Sequence, residues 1–179
     1  MKNFIGRFFQ GTTDLFGKIS SFLVLLLILL VALSVILRYA FSIGFTWLQD
    51  LYIWVHASFI LLGIGYTLSK DGHVRIDIIY RNLSKKSKNL INFLGAIIFG
   101  FPLCYLIIFK GYQYFFRSFL LDENSKETGG LPNVYILKFF VFFMGILLFC
   151  ELLNKVLKFF KKWLKLLVTN FLRPCYFFY

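Results

Sequence analysis

Three long stretches of the chain contain no charged residue, and they restrict its fold more than any other feature. They cover residues 19–37 (ISSFLVLLLILLVALSVIL), 51–69 (LYIWVHASFILLGIGYTLS) and 89–109 (NLINFLGAIIFGFPLCYLIIF). A helix crosses the hydrocarbon core of a bilayer with about 20 apolar residues. Each stretch has about this length, so the sequence predicts three transmembrane helices.

A fourth apolar region is interrupted by charge. Residues 139–150 supply only 12 uncharged residues, but the region reaches spanning length if it runs from Leu131 to Leu153. Lys138 then lies near one end, where a lysine can extend its ammonium group toward the headgroups. Because 59% of the 179 residues are hydrophobic, a soluble fold could not bury them, and four membrane spans are predicted.

The first stretch has an alternative interpretation as a cleaved signal peptide. Its apolar core is too long for one, and Arg38-Tyr39 follows where small residues are expected at a cleavage site. We therefore interpret this stretch as a retained membrane anchor.

The basic residues alternate between the two sides of the predicted spans. Lysines and arginines number three in residues 1–18, one in the first connection (Arg38), six in the second, four in residues 110–138 and six from residue 151 onward. Cytoplasmic segments carry the excess of Lys and Arg, so both termini are predicted to be cytoplasmic. Orientation and contact with anionic lipids account for the net charge of +12 without a nucleic-acid partner.

These patterns predict an all-α integral membrane protein with four transmembrane helices, both termini inside, and amphipathic helices at the interface. From Asp77 to Lys88, charged residues recur every three or four positions along one face, as in a helix that lies on a membrane surface. The basic tail has the same pattern, with a calmodulin-type partner helix as the alternative. The predicted single domain (1–179) consists of an interfacial segment (1–18), spans at 19–41, 47–69, 89–116 and 131–153, an amphipathic cytoplasmic connection (70–88) and a basic amphipathic tail (154–179).

Few ionisable residues lie inside the predicted spans. Arg38 and Asp50 lie near the outer ends of adjacent spans and are predicted to pair as a clamp, and Lys110 is placed toward the outer end of its span. For His56, within the second span, a hydrogen bond to a neighbouring helix or subunit is favoured over a role as proton acceptor or haem ligand. The other histidine, His73, lies 17 residues further on, about 25 Å along a helix, too far to bind the same haem.

The sequence contains no recognisable catalytic or metal-binding motif. Cys104, Cys150 and Cys175 lack metal-type spacing, and neither a nucleophile–base set nor a phosphate-binding loop is evident. We therefore expect no enzymatic activity and no cofactor. The residues alone leave open an accessory subunit, a small oligomeric channel or carrier, and the membrane anchor of a redox complex. A channel or carrier needs a polar stripe along one helix, and the sequence analysis finds none.

Short motifs between residues 38 and 90 resemble the small membrane subunit of tripartite ATP-independent periplasmic (TRAP) transporters. Members of that family have an Arg-Tyr pair, a Trp followed by an acidic residue, and a signature that begins with Gly-His and ends with Asp. The matching residues are Arg38, Tyr39, Trp47, Asp50, Gly72, His73, Val74, Ile76 and Asp77. Asp50 stands where the family usually has Glu, which retains the charge on a shorter side chain. The segments YTLSKDGHVRID and GGLPNVYILK resemble most the mannitol or chloroaromatic branch, which is related to 2-oxoacid systems.

The resemblance implies a division of labour among three proteins. A periplasmic protein captures an organic acid, and a large membrane subunit holds the substrate and Na⁺ sites. The small subunit is implied to be a non-catalytic scaffold in the bacterial inner membrane, bound to the large one. The candidate structural or subunit-interface residues are Arg38, Tyr39, Trp47, Asp50, His56, Gly72, His73, Asp77 and Arg81. We expect substitution of His73 or Asp77 to weaken assembly rather than substrate affinity.

Overall fold

Helices account for the regular elements in the described part of the chain. The computed structural model describes residues 4–70, 72 and 82–172, with side chains for residues 10–70, 72, 82–161, 163 and 164. The α-helices in this part are α1 (Phe4–Ala40), α2 (Thr46–Ser69), α3 (Lys85–Gly95), α4 (Phe101–Leu120) and α5 (Tyr135–Leu172). A π-helical turn, Ala96–Gly100, joins α3 to α4.

Four helical segments are long and apolar enough to cross a membrane. They are Gln10–Ala40, Thr46–Ser69, Lys85–Leu120 and Tyr135–Lys161. The predicted all-α fold with four spanning helices is therefore confirmed. Helix α1 continues without a break from residue 4 through the predicted first span. The predicted division into spans and interfacial segments stays a prediction, because a helix end does not mark a membrane boundary.

The spanning helices pack side by side in the order α1, α2, α5, α4. They form two antiparallel pairs, α1 with α2 and α4 with α5, and the pairs meet where α2 lies along α5. Phe16 of α1 also reaches Phe143 of α5, with ring centroids 5.0 Å apart. The end of this layer that holds the connection between α2 and α3 is predicted to be cytoplasmic, and we call it the inner end.

Small residues bring the helix pairs into close contact. A β-carbon at Gly111 would lie 3.1 Å from the Cα atom of Phe142, and one at Gly145 would lie 2.9 Å from side chains of α4. Helices in lipid associate where small residues permit close packing, since lipid tails are as apolar as the side chains. Between α1 and α2, the hydroxyl of Ser20 donates a hydrogen bond to the carbonyl oxygen of Phe59 at 2.7 Å. Both antiparallel pairs therefore have specific contacts as well as apolar surface.

The irregular turn between α3 and α4 has a local cause. Pro102 has no backbone N–H, so it cannot make the usual helical hydrogen bond to the residue four positions earlier. The chain forms one wider turn here, in which the N–H of Phe101 donates to the carbonyl of Ala96, five residues back. The two helices therefore continue as a single 36-residue apolar segment with a change of register at residues 96–100.

Aromatic pairs run along the contact between α5 and the α3–α4 segment. The pairs are Phe93–Phe159, Phe101–Phe149, Tyr112–Phe142 and Phe115–Phe139, with ring centroids 4.5 to 5.7 Å apart. Such pairs contribute about 0.5–1.5 kcal/mol each beyond the area that they bury. They extend the α4–α5 contact over most of the length of the pair.

Buried hydrophobic side chains are few in the described part of the chain. They are Leu48, Val55, Leu62, Cys104 and Leu147. The other large apolar side chains of the spans are partly or fully exposed, as expected for helices whose solvent is lipid.

Candidate functional site

In the outer half of the layer, Lys138 of α5 is buried, with 8% of its surface exposed. Its ammonium group pairs with the carboxylate of Glu123 and lies 4.1 Å from the ring centroid of Tyr114. The hydroxyl of Ser118 donates a second hydrogen bond to Glu123 at 2.7 Å. The hydrogen bonds from Lys138 and Ser118 lower the pKa of Glu123. Lys138 is therefore neutralised by the protein itself, whereas the sequence analysis placed its ammonium among the headgroups.

The loop that connects α4 to α5, residues 121–134, is folded by its own backbone. The N–H of Val134 donates to the carbonyl of Glu123 at 2.8 Å, and the N–H of Ser125 donates to the carbonyl of Leu131 at 3.0 Å. Because Glu123 also binds Lys138, these bonds hold both ends of the loop together. The loop is an ordered part of the outer surface.

Asp50 connects this loop to α2. Its Oδ2 atom accepts a hydrogen bond from the backbone N–H of Leu131 at 2.9 Å. Arg38 is exposed, and these two described residues form no ion pair with each other. The predicted clamp between Arg38 and Asp50 is therefore wrong, because the carboxylate of Asp50 binds a backbone donor of the loop instead.

Three further candidates lie on the surface of the layer. Tyr39 is 81% exposed, and Trp47 is 44% exposed with its ring 5.8 Å from that of Phe45. His56 of α2 is exposed, and its ring packs edge-on against Phe59 with centroids 5.3 Å apart. His56 therefore points away from the other helices of this chain. The assignment of these residues to a subunit interface stays a prediction.

The α2 terminus carries the last candidate that lies within the described residues. The N–H of Gly72 donates to the carbonyl of Thr67 at 2.9 Å and satisfies one of the free carbonyl groups at the end of the helix. His73, Asp77 and Arg81 lie outside the described residues, and so does Cys175. The predicted roles of His73, Asp77 and Arg81 stay predictions.

An ion pair that was not predicted from the sequence joins α1 to the end of α2. Lys70 Nζ lies 3.1 Å from Asp14 Oδ1, and both side chains are about half exposed. The hydrogen bond to Asp14, followed by the charge of that carboxylate, raises the pKa of Lys70. Asp14 is the first acidic residue in the chain and lies in a basic segment. This isolated negative charge is the sequence feature that could have indicated an ion pair.

A second polar pair lies deeper at the inner end. Glu151 and Asn154 of α5 are 1% and 2% exposed. The Nδ2 atom of Asn154 donates to Glu151 Oε2 at 3.5 Å. A buried carboxyl group needs such a partner, since an unpartnered polar group in an apolar environment is costly. This pair was not predicted from the sequence.

Contacts of two glycines fix the relative levels of three helices. Gly111 of α4 packs against Phe142 of α5, and these helices are antiparallel, so the residue before Gly111 is level with the residue after Phe142. Gly65 of α2 packs against Leu147 of α5, and these helices are parallel. A residue of α2 and a residue of α5 are therefore level when they lie the same number of residues before, or after, Gly65 and Leu147.

Lys110 lies deeper in the layer than its position in the sequence indicated. Lys110 is level with Phe143 of α5 and hence with Leu61 of α2. Leu61 is eight residues from Ser69 at the inner end of α2 and 15 residues from Thr46 at its outer end. These distances are about 12 and 22 Å along the helix. An unpaired lysine at the centre of a span costs about 2.5–3.5 kcal/mol. The side chain of Lys110 is nevertheless exposed on the surface of α4.

Lys110 belongs to a row of exposed residues along α4, which we call the α4 outer stripe. The stripe consists of Leu103, Leu106, Lys110, Gln113 and Arg117, three or four positions apart. The residues that α4 buries, Cys104, Gly111 and Ser118, lie roughly 120° away around the helix at 100° per residue. Its polar residues, Lys110, Gln113 and Arg117, occupy only the outer half of α4 and do not form a polar stripe along the whole helix. This stripe faces outward and does not line a path between the helices.

The polar clusters at the two ends of the layer each contain an ion pair that links one helix or loop to another. Among the described residues, no group of three or more His, Cys, Asp and Glu side chains could hold a metal ion. Asp14 with Lys70 joins α1 to α2, and Glu123 with Lys138 closes the α4–α5 loop. These polar groups hold helices and a loop together.

Four long apolar helices with their paired charges gathered at the two ends define a multi-pass helical membrane protein. The family model of the DctQ component of tripartite ATP-independent periplasmic transporters matches residues 27–162. The match covers most of the chain, and the protein belongs to this family of small membrane components of inner-membrane transporters. The resemblance to the small membrane subunit of TRAP transporters is confirmed, and the branch stays a prediction. Comparison with curated proteins and with solved structures found no match. The tripartite architecture implies a large membrane subunit and a periplasmic binding protein as partners.

Proposed function

We propose that the chain is a non-catalytic scaffold and anchor for the large membrane subunit of a Na⁺-coupled, binding-protein-dependent transporter of organic acids. Both of its termini lie in the cytoplasm, and its basic segments contact anionic lipids of the inner leaflet. Na⁺ and the substrate bind to the large subunit, and this chain holds that subunit in the membrane.

One observation carries the proposal: within the described part of the chain, the space where the spanning helices meet at mid-depth is apolar. A space of about 520 Å³ where α1, α2 and α5 meet is lined mostly by aromatic and aliphatic side chains, Phe16 and Phe143 among them, with Ser58 as a polar exception. His56 and Lys110, both within the spans, are exposed on the outside of the layer, and Lys138, level with His56, is paired with Glu123.

This distribution favours an accessory role over independent transport. Transporters bind ions and substrates at polar groups near the middle of the membrane, where helices are broken or meet around a cavity. Such groups here would have to lie between α1, α2, α4 and α5, and the polar groups buried there already have partners. A chain that cannot form its own pathway is suited to supporting a partner that has one.

Reconstitution into liposomes tests the proposal directly. The chain would be studied alone, with its large subunit, and with the large subunit plus the binding protein, each with and without an inward Na⁺ gradient. We expect uptake of a radiolabelled organic acid only in the complete system and only with the gradient. Uptake by this chain alone would contradict the accessory role. The resemblance to the mannitol or chloroaromatic branch makes 2-oxoacids and aromatic carboxylates the first substrates to test.

A further inference from the structure

We propose that the α4 outer stripe is the surface on which the large membrane subunit docks. The stripe presents two cations, Lys110 and Arg117, and the amide of Gln113 on a face that would otherwise meet lipid. The complementary surface carries a carboxylate at the depth of Lys110, with hydrogen-bond acceptors further out. This inference rests on the proposed function, since it requires the large subunit as the partner.

The cations of the stripe have no counter-ion within the described part of the chain. Neither Lys110 nor Arg117 forms an ion pair there. The ammonium of Lys110 lies 5.7 Å from the ring centroid of Phe109, a contact that leaves its hydrogen-bond donors unused. Ionisable side chains within membrane spans normally face other protein groups and pair with them. An outward-facing lysine at this depth therefore indicates a partner from another chain.

The position of α4 leaves room for such a partner. α4 is the last helix of the layer and packs against α5, so no other spanning helix among the described residues covers its far side. Leu103 and Leu106, both more than half exposed, extend the stripe toward the inner end and provide apolar contact area. The surface thus combines an apolar half with a charged half along one helix face.

Lys110 and Arg117 lie at similar depths from opposite ends of the layer. Lys110 is about 12 Å from the level of Ser69 at the inner end of α2, and Arg117, seven residues further along α4, is about 12 Å from the level of Thr46 at the outer end. A long basic side chain can extend toward headgroup phosphates, so lipid is the alternative partner for both cations. Co-purification and crosslinking distinguish the large subunit from lipid.

Co-purification with an affinity-tagged large subunit measures the interaction. We expect Lys110→Glu to lower the ratio of small to large subunit about tenfold or more, because it places a carboxylate opposite a carboxylate. Lys110→Arg retains the charge and should retain the ratio. Lys85→Glu makes the same charge change at an exposed residue outside the stripe and serves as the matched control. Circular dichroism of each variant purified alone verifies that the helices are intact.

Photo-crosslinking identifies the partner independently of charge. A photoreactive phenylalanine analogue at position 113 should crosslink to the large subunit, whereas the same analogue in place of the exposed Leu29 of α1 should not. Crosslinking from position 113 to a second copy of this chain would overturn the proposal and favour an oligomer. Unchanged co-purification of Lys110→Glu would also overturn it, while leaving the proposed function intact. If the wild-type chain did not co-purify with the large subunit, both the docking surface and the scaffold function would be wrong.

Discussion

The carboxylate of Asp50 accepts the backbone N–H of Leu131 at 2.9 Å, which joins two residues 81 positions apart in the chain. Through this bond the beginning of α2 holds the loop that leads into α5. A hydrogen bond to an ionised acceptor is about twice as strong as a neutral one. The outer loop is therefore tied to both helix pairs of the layer, through Asp50 on one side and through Lys138 on the other.

Asp50→Ala should destabilise the detergent-purified protein by about 1.5–3 kcal/mol, the usual contribution of a hydrogen bond to a charged group. Asp50→Asn keeps an acceptor oxygen and should lose less. Thermal unfolding gives the stability, and limited proteolysis gives the rate of cleavage within residues 121–134. Faster cleavage in the alanine variant is expected. Equal stability and equal cleavage in all three proteins would show that the bond does not hold the loop.

The ion pair of Glu123 and Lys138 should make stability depend on acid pH. The pKa of Glu123 in the folded protein is below its ordinary value of 4.5, so the pair stabilises the fold fully above that pH. The contribution is lost as the pH falls through the lowered pKa. Unfolding temperatures measured from pH 7 to pH 3 should decline less steeply for Glu123→Gln than for the wild type.

Substitution of the two partners should also have unequal effects. Glu123→Gln leaves the buried ammonium of Lys138 without a counter-ion, whereas Lys138→Met removes the buried charge and leaves a more exposed carboxylate that still binds Ser118. At pH 7 we therefore expect the lower unfolding temperature for Glu123→Gln. The reverse order would show that the carboxylate is not the essential partner of Lys138.

The ion pair of Asp14 and Lys70 should contribute little and should be sensitive to salt. Both side chains are about half exposed, where solvent and ions screen the attraction. Because the pKa of Lys70 is raised, the contribution is complete below its ordinary value of 10.5 and is lost as the pH rises through the raised pKa. Asp14→Asn should lower the unfolding temperature slightly in low salt and not at all in 1 M NaCl. A large loss that persists in high salt would point to a packing role for Asp14.

Asn154→Leu should destabilise the inner end by about 1–3 kcal/mol, since it leaves the carboxyl group of Glu151 buried without its amide partner. The double variant with Glu151→Gln should regain part of that loss, because an amide cannot carry the charge that makes a carboxyl group costly to bury. Thermal unfolding of the two single variants and the double variant measures this coupling. Strictly additive effects would mean that Glu151 and Asn154 do not interact.

The spanning helices could be predicted from the sequence because hydrophobic length is a local property. An uncharged run of about 20 residues has few alternatives to a membrane helix. The fourth span was harder to delimit because Lys138 interrupts it, and the lysine is tolerated there because Glu123 reaches it from the loop. That partner lies 15 residues earlier, and helical periodicity does not indicate it.

The polar contacts could not be predicted, because they depend on how the helices are placed against one another. Charge complementarity at one end of the layer favoured Arg38 as the partner of Asp50. The acceptor instead meets the backbone of a loop whose fold was unknown from the sequence. Similarly, the depth of Lys110 became clear only from the contact of Gly111 with Phe142, which sets the level of α4 against α5. The residues next to Lys110 in the sequence do not indicate how deep it lies relative to the other helices.

The small buried core has a consequence for how the chain tolerates substitution. Few apolar side chains are enclosed by the protein on all sides. At most leucine, isoleucine and phenylalanine positions, one of these residues can therefore replace another without leaving a cavity. In a scan of all single substitutions, intolerance should therefore be concentrated at a sparse set of small and polar residues, Gly111 and Lys138 among them. The small and polar contact residues therefore specify the fold of this protein, and the apolar residues between them are largely interchangeable.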